Sequence, residues 1–343
     1  MCIRDSVWPT GEAPAEVDVD GLLAELFDNP DQFGDTYAAI VIQHGRLLAE
    51  RYGGELVHFD RDAEPVEVTT RLLSWSMAKS MVHAAIGILV GDGRIDVDAP
   101  APIAAWHEQP DDERASITVQ QMLEMRDGLA FQEAYTLDAP SDVVAMLFGE
   151  GKDDMVAYAA ARPIAQEPGT HFNYSSGTSV LLSSVIGDAV GGGEAGMRAF
   201  LHESLFDRIG MRSVDPRFDP AGTFIGSSYV YAPAQDFARF GLLYLRDGIW
   251  DGERILPEGW VDHGRTVRSY DAEDDRYYGA HWWAAGDDLE TFFANGYEGQ
   301  SIMCVPALDL LVVRLGKTPE ALKDNWSAWR LRVRDAFRVT AST

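Results

Sequence analysis

Residues 74–81 read Ser74-Trp75-Ser76-Met77-Ala78-Lys79-Ser80-Met81, and they decide how the rest of the chain is read. The chain holds 28 basic residues, of which only four are lysines, and Lys79 alone has a serine three positions before it. The segment before Ser76 looks extended or looped. The segment after it, to Gly91, is apolar with glycines 91 and 93 to close it, so a helix is expected over 76–91. Residues three apart on a helix are neighbours, about 5–6 Å between Cβ atoms, which a lysine side chain spans. Serine needs an adjacent base to act as a nucleophile. Burial or a helix N-terminus lowers a lysine pKa enough for it to be that base. The same N-terminus leaves backbone N–H groups, that of Ser76 among them, free to face a developing oxyanion. A lone Ser-x-x-Lys also arises by chance, so its company matters.

Working outward, residues 37–54 alternate like two strands around a turn at His44-Gly45. From 116 to about 211 the signals are mostly helical: 118–126, 141–148, 153–161, 177–190 and 195–206. Strand signals return at 221–232 and a helix is expected in 234–248. Then 277–285, 291–300, 301–306 and 308–316 read as consecutive antiparallel strands. Strands at both ends with helices between them predict an α+β fold: an antiparallel sheet flanked by helices, with a mostly helical insertion. The expected division is 1–115 with 225–343 as the sheet unit and 116–224 as the insertion, the active site lying between them.

Two further stretches carry chemistry. In 172–179, FNYSSGTS, Tyr174 and Ser176 precede an apolar helix. A tyrosine beside a buried lysine can be partly phenolate and relay protons. It can equally be a packed residue at a helix start capped by serines. In 292–301, FFANGYEGQS, Gly296 and Gly299 interrupt a strand pattern, which marks either close approach of ligand or backbone, with Tyr297 N–H as a second oxyanion donor, or a bulged edge.

Together these stretches resemble the serine β-lactamase-like superfamily, which includes class C β-lactamases and family VIII esterases. Within it, the chain is most similar to the 6-aminohexanoate-dimer hydrolase branch. Ser76-Met77-Ala78-Lys79 matches the first motif, Tyr174-Ser175-Ser176 part of the second, and Ala294-Asn295-Gly296 falls on the third. Similarity extends over residues 37–317, through 91–102, 165–178, 227–260 and 305–316. The resemblance implies an acyl-enzyme on Ser76, with Lys79 and Tyr174 as its proton-handling partners and the N–H groups of Ser76 and Tyr297 as oxyanion donors. Ser176, Asn295, Gly296 and Tyr135 are then expected at the substrate, Tyr135 closing over it. Ser176 replaces the asparagine that contacts the amide in β-lactamases. Ala294 replaces their carboxylate-binding cation, for which Arg239 or Arg314 is a possible stand-in. The expected enzyme is therefore a hydrolase of esters or linear amides with weak or no β-lactamase activity. An acyltransferase and a catalytically silent member of the fold are the alternatives. Fluorophosphonate labelling separates silent from active, and product analysis with an added acceptor separates transfer from hydrolysis.

Other chemistries find little support. There is no Gly-x-Ser-x-Gly elbow. The end of a P-loop is mimicked at 314–319, but Leu311 stands where its first glycine belongs. Neither Trp106-His107-Glu108 nor Leu201-His202-Glu203 is followed by a second histidine at zinc-protease spacing. No metal or other cofactor is expected. Cys304 and His83 read as core residues, residues 280–285 as packed aromatics or a pocket wall. Glu133, Asp142 and Glu298 read as solvated carboxylates or as attractors of an amine-bearing substrate.

A net charge of −27 argues against nucleic-acid binding and against anionic membranes, and no apolar run of membrane-spanning length exists. A small-molecule ester or amide is the expected partner; a homodimer is compatible with the sequence. The opening MCIRDS matches a translated sequencing adapter, so the natural start is expected to be missing. A cytoplasmic location is favoured, and a lost signal peptide stays open.

Overall fold

The computed structural model describes residues 8–57, 62–135, 140–272 and 275–341. The opening MCIRDS, with Cys2, lies outside them, as does part of 129–144, a stretch the sequence leads one to expect as one wall and mobile cover of the site.

An eight-stranded antiparallel sheet is the centre of the molecule. Its strands are β1 Asp35–Gln43, β2 Arg46–Tyr52, β3 Ser269–Asp271, β4 Arg276–Tyr278, β5 Trp283–Ala284, β6 Phe292–Gly296, β7 Gln300–Val305 and β8 Leu310–Lys317. They lie in the order β3-β4-β5-β6-β7-β8-β1-β2. The strand from the start of the chain therefore pairs with the strand near its end, Ile40 opposite Val313 and Gln43 opposite Leu310. This is the α+β arrangement expected of a sheet completed from both ends.

The sheet is buried on both faces, which explains why β8 reads as an almost unbroken apolar run. Alternate residues serve two cores. Ile40, Ile42, Leu311, Val313 and Leu315 face one, and Ala39, Val41, Leu310 and Val312 face the other. Helices α1 Val19–Asp28, α2 Ala78–Gly91, α3 Ser176–Val190, α4 Ala234–Leu245 and α5 Lys323–Ala341 cover them. α2, α3 and α4 fill the first core. α1 and α5 fill the second, through Leu23 and Leu26 and through Trp326, Trp329, Val333 and Phe337.

The helical middle has the expected order, its first three elements shorter than expected: Val119–Leu123, Asp142–Phe148, Met155–Ala160, then α3, and Gly193–Phe200 running into a π-helical Leu201–Phe206. The strand expected over 221–232 is reduced to Val230–Ala232, which pairs with Leu72–Leu73. That short pairing matters, because it delivers the chain to Ser74. Cys304 and His83 are core residues as expected, His83 bonded to the Tyr244 hydroxyl at 2.7 Å. Among the described residues no helix is long and apolar enough to cross a membrane.

Candidate active site

The expected helix over 76–91 begins as a tight 3₁₀ turn, Trp75–Met77, before α2 takes over. Trp75 holds a positive φ of 44°, rare for a bulky residue. Its neighbour Ser74 fixes it there. The Ser74 N–H donates to the Val230 carbonyl (2.9 Å), and its hydroxyl lies 3.1 Å from both the Ser228 carbonyl and the Val230 N–H. The turn leaves Ser76 partly exposed and Lys79 buried behind it.

Lys79 Nζ stands 3.1 Å from Ser76 Oγ, 3.0 Å from Ser176 Oγ and 3.0 Å from the Ser227 carbonyl oxygen. Burial disfavours its ammonium form and pushes its pKa down to about 8, against the pull of the Glu133 carboxylate. The amine also lies 4.9 Å from the centroid of the Tyr174 ring. Tyr174 is wedged between Trp283 (5.2 Å) and Tyr278 (6.0 Å). Burial and the Glu133 charge push its pKa up, although its hydrogen bond with Ser76 pulls the other way. Both shifts disfavour a Tyr174 phenolate and favour a neutral Lys79 amine.

Ser176 opens α3, where the Ser175 hydroxyl caps Thr178 N–H. Expected at the substrate, Ser176 is instead fully buried between Lys79 and Glu133. Glu133 is not a solvated carboxylate. Its oxygens accept from Ser176 N–H (2.8 Å), Ser176 Oγ (2.7 Å) and Tyr135 OH (3.0 Å). Nothing in the sequence pointed to this, since Glu133 and Ser176 lie 43 residues apart. Asn173 holds the Glu133 loop in place by donating to the carbonyls of Leu129 and Phe131, both at 3.1 Å. Asp142 is likewise occupied, by Arg162, Tyr158 OH and Gln132 N–H.

The third wall is the end of β6. Gly296 lies against the nucleophile turn: a Cβ there would collide with the Ser74 carbonyl and sit 3.1 Å from Trp75 Cβ. The turn Tyr297–Gly299 that follows has left-handed Glu298 and Gly299. Its carbonyls are pinned: Tyr297 by Gln300 Nε2 (2.9 Å), Glu298 by Thr318 N–H (2.9 Å) and Arg314 (3.2 Å), Gly299 by Arg314 (3.2 Å). Arg314 thus works inside the sheet and supplies no cation to the site. Arg239 pairs with Asp236 at 2.9 Å. Asn295 turns its amide oxygen to Arg330 (2.6 Å) and Ser301 (3.1 Å), away from a substrate role. Tyr297 stacks on Tyr135 at 4.5 Å, and Trp75 meets both rings edge-on. Of the pair in 280–285, Trp282 packs in the core against Tyr244 and Trp283 backs Tyr174.

An antiparallel sheet with helices on both faces, carrying Ser-x-x-Lys at the start of a buried helix beside a tyrosine, defines a β-lactamase-type protein. The chain belongs to the Beta-lactamase family, whose profile matches residues 31–336. It is 25% identical to the 6-aminohexanoate-dimer hydrolase of Paenarthrobacter ureafaciens, over 93% of this chain and 82% of that protein. Among solved structures it resembles a Bacillus anthracis protein provisionally named a 6-aminohexanoate-dimer hydrolase (TM-score 0.78, 20% identity, 98% of this chain and 88% of that one). It also resembles a family VIII carboxylesterase (TM-score 0.70, 15% identity, 94% and 99%).

Proposed function

We propose that the protein is a serine hydrolase of esters or linear amides. The observation that carries this reading is the buried Lys79 amine, 3.1 Å from the half-exposed hydroxyl of Ser76 and with its pKa lowered to about 8. Ser76 Oγ attacks the carbonyl carbon while its proton passes to Lys79 Nζ. The N–H groups of Ser76 and Tyr297 receive the oxyanion on a turn whose carbonyls are already fixed. Tyr174 gives its proton to the leaving alcohol or amine and takes in exchange the proton that Lys79 Nζ had accepted, so both groups end the step as they began. Water then cleaves the acyl-enzyme and returns the Ser76 hydroxyl. The site lies where the sheet unit (1–115 with 225–343), which supplies Ser76, Lys79 and Tyr297, meets the helical insertion (116–224), which supplies Glu133, Tyr135, Tyr174 and Ser176.

Two predictions follow from particular residues. Because Lys79 must be neutral to take the proton, kcat/KM for an ester rises with pH and levels off above about 8. Below that it falls roughly tenfold per unit; a flat profile between pH 6 and 9 overturns Lys79 as the base.

Substrate choice gives the second prediction. Ala294, buried on β6, offers no charge to a β-lactam carboxylate. Burying that carboxylate without a partner costs on the order of several kcal/mol. Short p-nitrophenyl esters are therefore hydrolysed readily and nitrocefin at a rate lower by orders of magnitude. The cation whose charge does reach Tyr174 is Arg276, on β4 and 5.8 Å from the Trp283 centroid. Nitrocefin turnover equal to the esterase rate, lost in Arg276→Ala, would refute this substrate assignment.

A further inference from the structure

We propose that Glu133 and Ser176 form a proton-ordering pair that turns the lone pair of Lys79 toward Ser76. The inference rests on Lys79 acting as the base of the reaction above. A neutral lysine amine has two N–H donors and one lone pair, and Nζ has three polar neighbours at 3.0–3.1 Å. The Ser227 carbonyl oxygen only accepts. Ser176 has one hydroxyl hydrogen and commits it to Glu133 Oε1 at 2.7 Å, so toward Lys79 it also only accepts. Both N–H groups are then used, and the lone pair is left for the one neighbour with a proton to give, Ser76. Without the carboxylate, the Ser176 hydrogen is free to turn to Lys79 and occupy that lone pair.

Glu133 is built for this task. Its second oxygen accepts from Ser176 N–H, which sets the carboxylate against that residue and no other on α3, and Tyr135 OH closes the remaining side. The groups around Lys79 are few: Glu133, the protonated Tyr174 phenol, and His281, which burial keeps neutral, its pKa pushed down to about 3. Among the described residues Glu133 is thus the one carboxylate whose charge acts on Lys79. It is a positioning residue; it touches Ser176, and through it the base.

The test compares Glu133→Gln, Ser176→Ala and the double variant, by pH profile of ester hydrolysis and by ¹⁵N titration of the lysine side chains. With four lysines in the chain the Lys79 signal is assignable by its absence from Lys79→Arg. In Glu133→Gln the amide NH₂ can donate to Ser176 Oγ, whose hydrogen then turns to Lys79. The plateau rate falls by about a hundredfold, the scale of a misoriented catalytic group. The Lys79 midpoint moves to lower pH, because the neighbouring negative charge is gone. Ser176→Ala alone costs less, since a methyl group cannot capture the lone pair. The double variant recovers about tenfold over Glu133→Gln, because the misdirected hydroxyl is removed. A merely structural Glu133 predicts losses that multiply in the double variant and a fixed Lys79 midpoint, and either result overturns the inference. Fluorophosphonate labelling of the wild type at Ser76 is the control. Its absence overturns the hydrolase reading and this inference together, whereas a labelled wild type with an unaltered Glu133→Gln profile overturns the inference alone.

Discussion

Ser76→Ala loses ester hydrolysis by at least about 10⁴-fold, the scale on which removal of a nucleophile is felt in a covalent mechanism. The fold survives it. Ser76 is partly exposed on a 3₁₀ turn held by Ser74 and Val230, so its hydroxyl contributes little to packing. Lys79 keeps the Ser176 hydroxyl and the Ser227 carbonyl as partners when Ser76 Oγ is gone. The unfolding free energy then stays within the range of a neutral surface change, about 0.5 kcal/mol. Mass spectrometry of the wild type treated with a fluorophosphonate places the adduct on Ser76. An adduct elsewhere, with Ser76→Ala still active, would remove the nucleophile assignment.

What could be read in the sequence was local. Ser76 and Lys79 are three apart, and helical spacing alone brings them together. The β7–β8 hairpin announces itself because a strand buried on both faces is apolar at nearly every position, as in Leu310–Val313 and Leu315, the exception being Arg314, whose guanidinium is bonded to backbone carbonyls. The C-terminal helix α5 escaped because its exposed face is crowded with charge. Its signal was the spacing of Trp326, Trp329, Val333 and Phe337, one apolar stripe on an otherwise polar segment. Residues 221–229 alternate like a strand but run mostly into turns: Phe224 makes one isolated bridge to Phe218, and continuous pairing is confined to Val230–Ala232, which lies between Leu72–Leu73 and Asp215–Pro216. Pairing is a tertiary event that alternation does not specify.

The site was legible to the same limit. Motif spacing supplied Ser76, Lys79 and Tyr174, and the glycine at 296 signalled the close approach of β6 to Ser74. It could not supply Glu133, whose meaning depends on a partner 43 residues away, nor the turning of Asn295 to Arg330, 35 residues on. Ser176 shows the difference most clearly. Its position in the second motif suggested a substrate contact, yet a side chain one residue into a buried helix faces whatever the helix packs on, here Lys79. Tyr174 carries the related lesson for charge. Proximity to a lysine suggested a phenolate, whereas burial and a nearby carboxylate both favour the protonated phenol.

Lys79→Arg is expected to be nearly as damaging as Lys79→Ala, with kcat down at least about 10²-fold, the lower scale for losing a general base. Arginine keeps the positive charge but does not deprotonate near neutral pH, so it has no lone pair to offer Ser76. It also fits badly. Three oxygens converge on one nitrogen at 3.0–3.1 Å, and a planar guanidinium cannot place all of its donors in a nest made for an ammonium. Overpacking such a site costs about 1–3 kcal/mol, so a fall in thermal midpoint is expected as well and has to be told apart from the loss of the base. Added methylamine makes the distinction. In Lys79→Ala it can occupy the space left by the side chain and restore part of the rate, with a pH dependence set by the free amine. In Lys79→Arg the space is filled and no rescue occurs. Should Lys79→Arg instead keep most of its activity, the lysine would be electrostatic support, and the proton of Ser76 would have to leave by way of Tyr174.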